Sequence, residues 1–183
     1  MVLRLPVVDR LHRPGHLGAG LRQEPFSADP PRKRNSVKAL VVDNNRILLT
    51  RNRDHMGDFH LLPGGGQEFG ETLHQALVRE VLEETGCVVE PGRLLLARDY
   101  VGANHEFARE DGDVHQVELV FDSALVERRR DWDSAPDAWQ VGVDWVLPDE
   151  LGGIRIYPSV LTRLLPRLVR GEYEGPIYLG DVN

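Results

Sequence analysis

Glu80, Glu83 and Glu84 crowd into the short stretch REVLEETG. On a helix turning by about 100° per residue they fall within one arc of roughly 100°. Leu77, Val78, Val81 and Leu82 fall on the opposite arc, so one face can be buried while the other gathers three carboxylates. Like charges at this spacing destabilise an isolated helix. A hard divalent cation such as Mg²⁺ offsets that repulsion, because it prefers carboxylate oxygen. Some of the carboxylates can then hold the cation while another takes a proton from an attacking water, which is the chemistry of metal-assisted hydrolysis. A solvated acidic face without a role has the same pattern, since surface helices are often rich in Glu.

The preceding loop separates the two readings. Pro63 is followed by Gly64, Gly65 and Gly66, and then by the acids Glu68 and Glu71. Consecutive glycines let backbone amides or carbonyls approach a metal or phosphate where side chains would obstruct. The helix also has defined ends. Thr72 can cap its start, with Gln75 completing a capping box, and Gly86 can stop it in a left-handed conformation. A glycine-rich, acidic loop leading into a capped helix with a carboxylate face is harder to explain by solvation alone.

This stretch resembles the Nudix box: Gly, five residues, Glu, seven residues, then Arg-Glu-apolar-x-Glu-Glu-x-Gly-apolar. Gly65, Glu71, Arg79, Glu80, Val81, Glu83, Glu84, Gly86 and Cys87 occupy those places. Cys87 stands where an aliphatic residue is usual, and a small buried Cys can serve there. The resemblance implies an α+β fold, a Nudix-like α/β/α sandwich around a mixed sheet. It also implies a hydrolase that cleaves a phosphoanhydride bond in a nucleoside diphosphate linked to another moiety: a nucleoside triphosphate, a nucleotide sugar such as ADP-ribose, or a dinucleoside polyphosphate. Mg²⁺ or Mn²⁺ is the implied cofactor. Glu80 and Glu84 are implied to hold metal with help from Glu83, and Gly65 to offer a backbone carbonyl. Arg79 would fix the box carboxylates, and Glu71 would brace the loop-to-helix junction. In the alternative assignment Glu80 is the general base, a role that varies among members of the family. A Nudix-fold module that binds a nucleotide without turnover is the alternative, though such modules usually have a degraded box.

The elements that must position these residues are legible as alternating apolar runs. Strands are expected at Val37–Val42, at Arg46–Thr50 after an Asp43-Asn44-Asn45 turn, and at Phe59–Leu62. Further strands are expected near Val88–Val89, Arg93–Val101, Val114–Ala124 and Trp139–Leu147. A terminal helix is expected over Tyr157–Arg170, interrupted at Pro166, and the tail from Gly175 could add an edge strand. This order has no regular βαβ rhythm and fits a mixed α+β sheet. Residues 1–35, rich in Pro with a basic Arg32-Lys33-Arg34 cluster, read as an irregular arm that could serve a homodimer, and residues 36–183 as the domain with its C-terminal helix and tail. The polar segments 106–113 and 127–138 read as exposed connections.

A formal net charge of -7 argues against non-specific binding of nucleic acid or anionic membrane. An anionic substrate must then be countered locally, by bound cations and a few Arg residues. A single Cys forbids an intrachain disulfide and fits a cytoplasmic location. No run of about 18 apolar residues predicts a membrane span. Outside the box, Glu118 on an alternating strand is a candidate extra carboxylate, with Glu106 and Glu110 on the preceding polar loop as rivals. Candidate substrate contacts are Arg51, Arg53, Asn104 and His105, with Tyr100 and Phe107 nearby; Arg would bind phosphate and aromatics would stack a base. For each of them, ordinary surface or core is the competing and more common role. His60 is a weak stacking platform or a spacer, and Trp145 reads as core.

Overall fold

A computed structural model describes residues 33–129 and 139–183. The expected arm therefore lies outside the described residues up to residue 32, as does most of the second polar connection. β1 (Lys33–Asp43) begins before the expected boundary at residue 36 and runs parallel to β5 (His115–Arg128) from its first residue. β1 and β2 (Arg46–Asp54) form a hairpin through Asn44 and Asn45, at φ 49° and 58°. Two successive positive φ values match the twist of the flanking strands, and Asn tolerates them.

β3 (Gly57–Leu61) and β6 (Gln140–Val146) each pair antiparallel with β2, and the short β7 (Ile156–Tyr157) runs parallel to β3. On the other side, β5 pairs antiparallel with β4 (Cys87–Val101), and β8 (Tyr178–Asp181) adds a parallel edge strand, as the tail suggested. The order is β7-β3-β2-β1-β5-β4-β8, with β6 also on β2.

β1 and β2 pair only next to their turn, Val42 with Ile47 and Asp43 with Arg46. Farther along β1, that edge is taken by the glycine loop. Ala39 N–H donates to the Pro63 carbonyl and Val37 N–H to the Gly65 carbonyl, both at 2.9 Å, and Gln67 N–H donates to Asn35 at 3.1 Å. The loop is thus held like an extra rung beside β1, which fixes the entry to the next helix.

That helix, α1 (Leu73–Thr85), has both predicted caps: the Thr72–Gln75 capping box and Gly86 at φ 69°. Its buried Ala76, Leu77 and Val81 pack on Val37, Ala39 and Val41 of β1, together with Leu48, Val89 and Phe121. Leu40 faces the other way, into a second cluster with Ile47, Leu49, Leu96 and Val120, closed by Leu161 and Leu165 of α3 (Leu161–Val169). Burying each such leucine stabilises by about 1.5–3 kcal/mol. The two helices cover separate cores, giving the mixed α+β, α/β/α layering that the resemblance implies.

Besides the early start of β1, β2 and β5 run on to Asp54 and Arg128, and β4, α3 and the connection after β4 differ from the sequence reading. β4 is one strand instead of two, because register shifts around Pro91 absorb the expected break. α3 starts at Leu161 because Tyr157 is still paired in β7 and Pro158 follows it. The helix continues through Pro166, with Leu165 fully buried beside it. The exposed connection after β4 contains a short helix, α2 (Ala108–Asp111). No helix among the described residues is long and apolar enough to cross a membrane.

Candidate active site

The site grows from the junction of the glycine loop and α1. Arg79 is its hub. Arg79 Nε and Nη2 grip both oxygens of Glu71 at 2.7 and 2.9 Å, and Nη2 also donates to the Gly66 carbonyl at 3.0 Å. Nη1 donates to Glu80 at 2.9 Å and to Glu83 at 3.3 Å. One guanidinium therefore ties the loop to the helix and holds two of the three helix carboxylates at set positions. Arg79 holds the Glu71 carboxyl well below its ordinary range, at about 2, with help from the Glu68 N–H. In return Glu71, then Glu80, raise Arg79 against the opposing effect of burial.

The third carboxylate, Glu84, is buried and accepts the Gly64 N–H at 2.8 Å. Gly64 sits at φ 130°, and a Cβ there would overlap the Val37 carbonyl. A Cβ at Gly65 would overlap the Glu80 carboxylate. Both glycines are thus needed for close approach, one to the strand and one to the helix. The Gly65 carbonyl is spent in part on Val37 N–H. The Gly64 carbonyl accepts from Lys38 Nζ of β1. Lys38 escaped the sequence reading because it sits inside an apolar run; a lysine interrupting SVKALVV was the signal available.

Comparison with known proteins agrees with this geometry. A NUDIX domain family model matches residues 32–167. The chain belongs to the Nudix family. A curated ADP-ribose pyrophosphatase from Methanocaldococcus jannaschii is 40% identical over 62 residues, covering 33% of this chain and 36% of that protein. An NAD-capped RNA hydrolase NudC from Shigella dysenteriae is 26% identical over 142 residues, covering 75% of this chain and 49% of its own length. The chain thus spans about a third to a half of the length of these curated relatives. Among solved structures, a NUDIX hydrolase from Nitrosomonas europaea superposes with a TM-score of 0.63 at 22% identity, over 77% of this chain and 91% of that one. The MutT protein from Methanosarcina mazei Go1 gives 0.58 at 24% identity, over 81% of this chain and 100% of that one. At these identities the structural likeness speaks to the fold.

The candidates outside the Nudix box are distributed unevenly. Glu118 lies on the face of β5 away from α1 and is buried in an ion pair with Arg98 Nε at 2.8 Å. Gln116 and the Val182 carbonyl complete that polar cluster. Its register neighbour is Ser36, which bridges to Gly66. Glu118 is therefore about two strand spacings, roughly 10 Å, from the glycine loop. Arg98 was not foreseen, because strand pairing, not sequence distance, sets it opposite Glu118. Glu106 is exposed on the turn after β4, and the side chain of Glu110 lies outside the described ones.

Arg53 is exposed and paired with Asp58 at 2.6 Å. Arg51 approaches Asp144 at 3.6 Å, and buried His60 meets the same carboxylate at 3.0 Å. His60 is thus a paired core residue. Asn104 and His105 both hold Asp181 of β8 at 2.6 Å, and His105 stacks on Tyr100 with centroids 5.3 Å apart. Those bonds, with Val101 N–H, hold the Asp181 carboxyl at about 2 against the opposing effect of burial. Phe107 meets Tyr157 edge-on at 5.2 Å, and Tyr157 meets Phe59 at 5.8 Å. Trp145 packs on the α1 core and is covered by Arg128.

The Nudix box suits a divalent cation by donor type, since carboxylate oxygens and loop carbonyls are the ligands a hard cation takes. It suits one by charge as well. Glu71, Glu80, Glu83 and Glu84 bring four formal negative charges against two positive ones from Arg79 and Lys38. The remainder of two matches a divalent ion. In this conformation the carboxylates are held by Arg79 and Gly64, and among the described residues no three His, Cys, Asp or Glu side chains are gathered around one point.

Proposed function

We propose that this chain is a divalent-cation-dependent pyrophosphohydrolase. Its substrate is a nucleoside diphosphate linked to another moiety: a nucleoside triphosphate, a nucleotide sugar such as ADP-ribose, or a dinucleoside polyphosphate. The observation that carries this reading is the set of three helix carboxylates, Glu80 and Glu84 against the glycine loop and Glu83 held by Arg79, which bonds both loop and helix. The relatives' names agree with the class: one acts on ADP-ribose and another on NAD-capped RNA.

Glu80 and Glu84 would hold Mg²⁺ or Mn²⁺, helped by Glu83 and a loop carbonyl at Gly64 or Gly65. When bound, the cation neutralises charge on the bridging phosphates and polarises the phosphorus under attack. Arg79 keeps Glu80 and Glu83 at fixed positions, so less rotamer entropy is lost on loading. Glu80 or Glu83 accepts the proton of the attacking water. The side chain of Glu83 is 38% exposed and that of Glu80 18%, so both can be reached from solvent.

Glu80→Gln and Glu84→Gln test the assignment. Each keeps the shape and removes the charge. Turnover should fall at least a hundredfold or so, since a lost metal ligand forfeits several kcal/mol of transition-state stabilisation. The melting temperature should change little. A near-wild-type rate in either variant would remove that residue from the machinery.

A further inference from the structure

All five N–H donors of Arg79 are engaged by Glu71, Glu80, Glu83 and Gly66. The family's own arginine is therefore not available to a substrate phosphate here. The loop and helix otherwise present acids, and the substrate proposed above is itself anionic. Among the described residues, Lys38 is the other cationic side chain bonded to the glycine loop.

Its position follows from strand alternation. Val37 and Ala39 point into the α1 core, so Lys38 emerges on the opposite face of β1, half-buried, with Ser36 two residues before it on the same face. Lys38 Nζ donates to the Gly64 carbonyl, at the loop that carries the site. Ser36 gives a second, independent observation. It is 1% exposed, and its Oγ has no hydrogen-bond partner among the described residues. A buried hydroxyl is normally satisfied, and Ser36 is itself the strand position that bridges to Gly66 of the loop.

We propose that Lys38, with Ser36 beside it, is a substrate-phosphate contact: the ammonium leaves the Gly64 carbonyl for a non-bridging phosphate oxygen of a nucleoside diphosphate, and the Ser36 hydroxyl supports the same group. A charge-assisted bond to phosphate is stronger than one to a neutral carbonyl, so the exchange is favourable. An ammonium on a flexible four-carbon stem can make it without moving the backbone. The exchange also frees the Gly64 carbonyl. This contact rests on the reading of the substrate as a nucleoside diphosphate derivative.

The test uses ADP as probe, titrated calorimetrically in the presence of chelator into the full chain and into Lys38→Met, Lys38→Arg and Ser36→Ala. Mn²⁺ affinity and melting temperature are measured in parallel. Lys38→Met should weaken ADP about tenfold or more, as loss of a hydrogen bond to a charged group does. Lys38→Arg should recover most of that loss, Ser36→Ala should show a smaller one, and none should weaken Mn²⁺. ADP affinity unchanged in Lys38→Met, or no ADP binding by the wild type, overturns the contact. So does a loss of ADP that comes with an equal loss of Mn²⁺ affinity and melting temperature, which makes Lys38 a structural staple. A wild type that binds ADP through Lys38 yet hydrolyses no nucleotide with any cation overturns the hydrolase reading and leaves this contact standing.

Discussion

At the residue scale, the Arg79–Glu71 pair joins the loop to the helix, and its pH behaviour follows from its geometry. Glu71 titrates at about 2 in the folded chain against an ordinary value of 4.5, chiefly because Arg79 bonds both its oxygens. A depressed carboxyl stabilises the fold fully above its unfolded value and loses that contribution as pH falls towards the folded one. The melting-temperature difference between wild type and Glu71→Gln should therefore be full at pH 7, shrink below about 4.5 and vanish near pH 2. A difference that stays constant from pH 7 to pH 3 would show that the charge of Glu71 is not what holds the junction. The residues that share the box spacing were legible in sequence because the motif lies within one loop and one helix. Lys38, Arg98 and Asp181 were not, because each earns its partner through strand pairing or a chain reversal. The sequence marks Asn104 and His105 as candidate substrate contacts, whereas in the structure both bond Asp181, a residue nearly eighty positions away.

At the element scale, the glycine loop matters through its two closest approaches. Gly65→Ala would push against the Glu80 carboxylate, whereas Gly64→Ala would press on β1 and also strain the backbone at φ 130°. Gly65→Ala is expected to lower turnover with a small change in melting temperature, because a carboxylate at the end of a side chain can move. Gly64→Ala should destabilise the fold by about 1–3 kcal/mol, the cost of holding such a backbone conformation without glycine. Thermal melts beside rates separate the two; equal destabilisation would mean that the loop does not distinguish strand from helix. The ends of α1 were legible because capping is local chemistry between residues three apart. The limits of β4 and α3 were not: tertiary pairing carries β4 past Pro91, and burial of Leu161 and Leu165 carries α3 past Pro166.

At the scale of the whole described chain, β1 organises the molecule. Its hairpin joins it to β2, its long parallel register joins it to β5, and its free edge holds the glycine loop. Its two faces feed the two cores, under α1 and α3. The mixed topology was legible as a class from the irregular order of strands and helices. The loop's docking on β1 was not, since nothing in Pro63–Gly66 alone announces a strand partner. With a net charge of -7, the polyphosphate substrate proposed above would have to be countered locally, by cations and by basic groups such as Lys38. The most direct measurement is product release from a panel of nucleoside triphosphates, nucleotide sugars including ADP-ribose, and dinucleoside polyphosphates, each with Mg²⁺, with Mn²⁺ and with chelator. Hydrolysis of at least one class that needs the cation, stops with chelator and is lost in Glu84→Gln is the predicted result. Turnover that persists in chelator, or a folded protein that hydrolyses nothing in the panel, would contradict it.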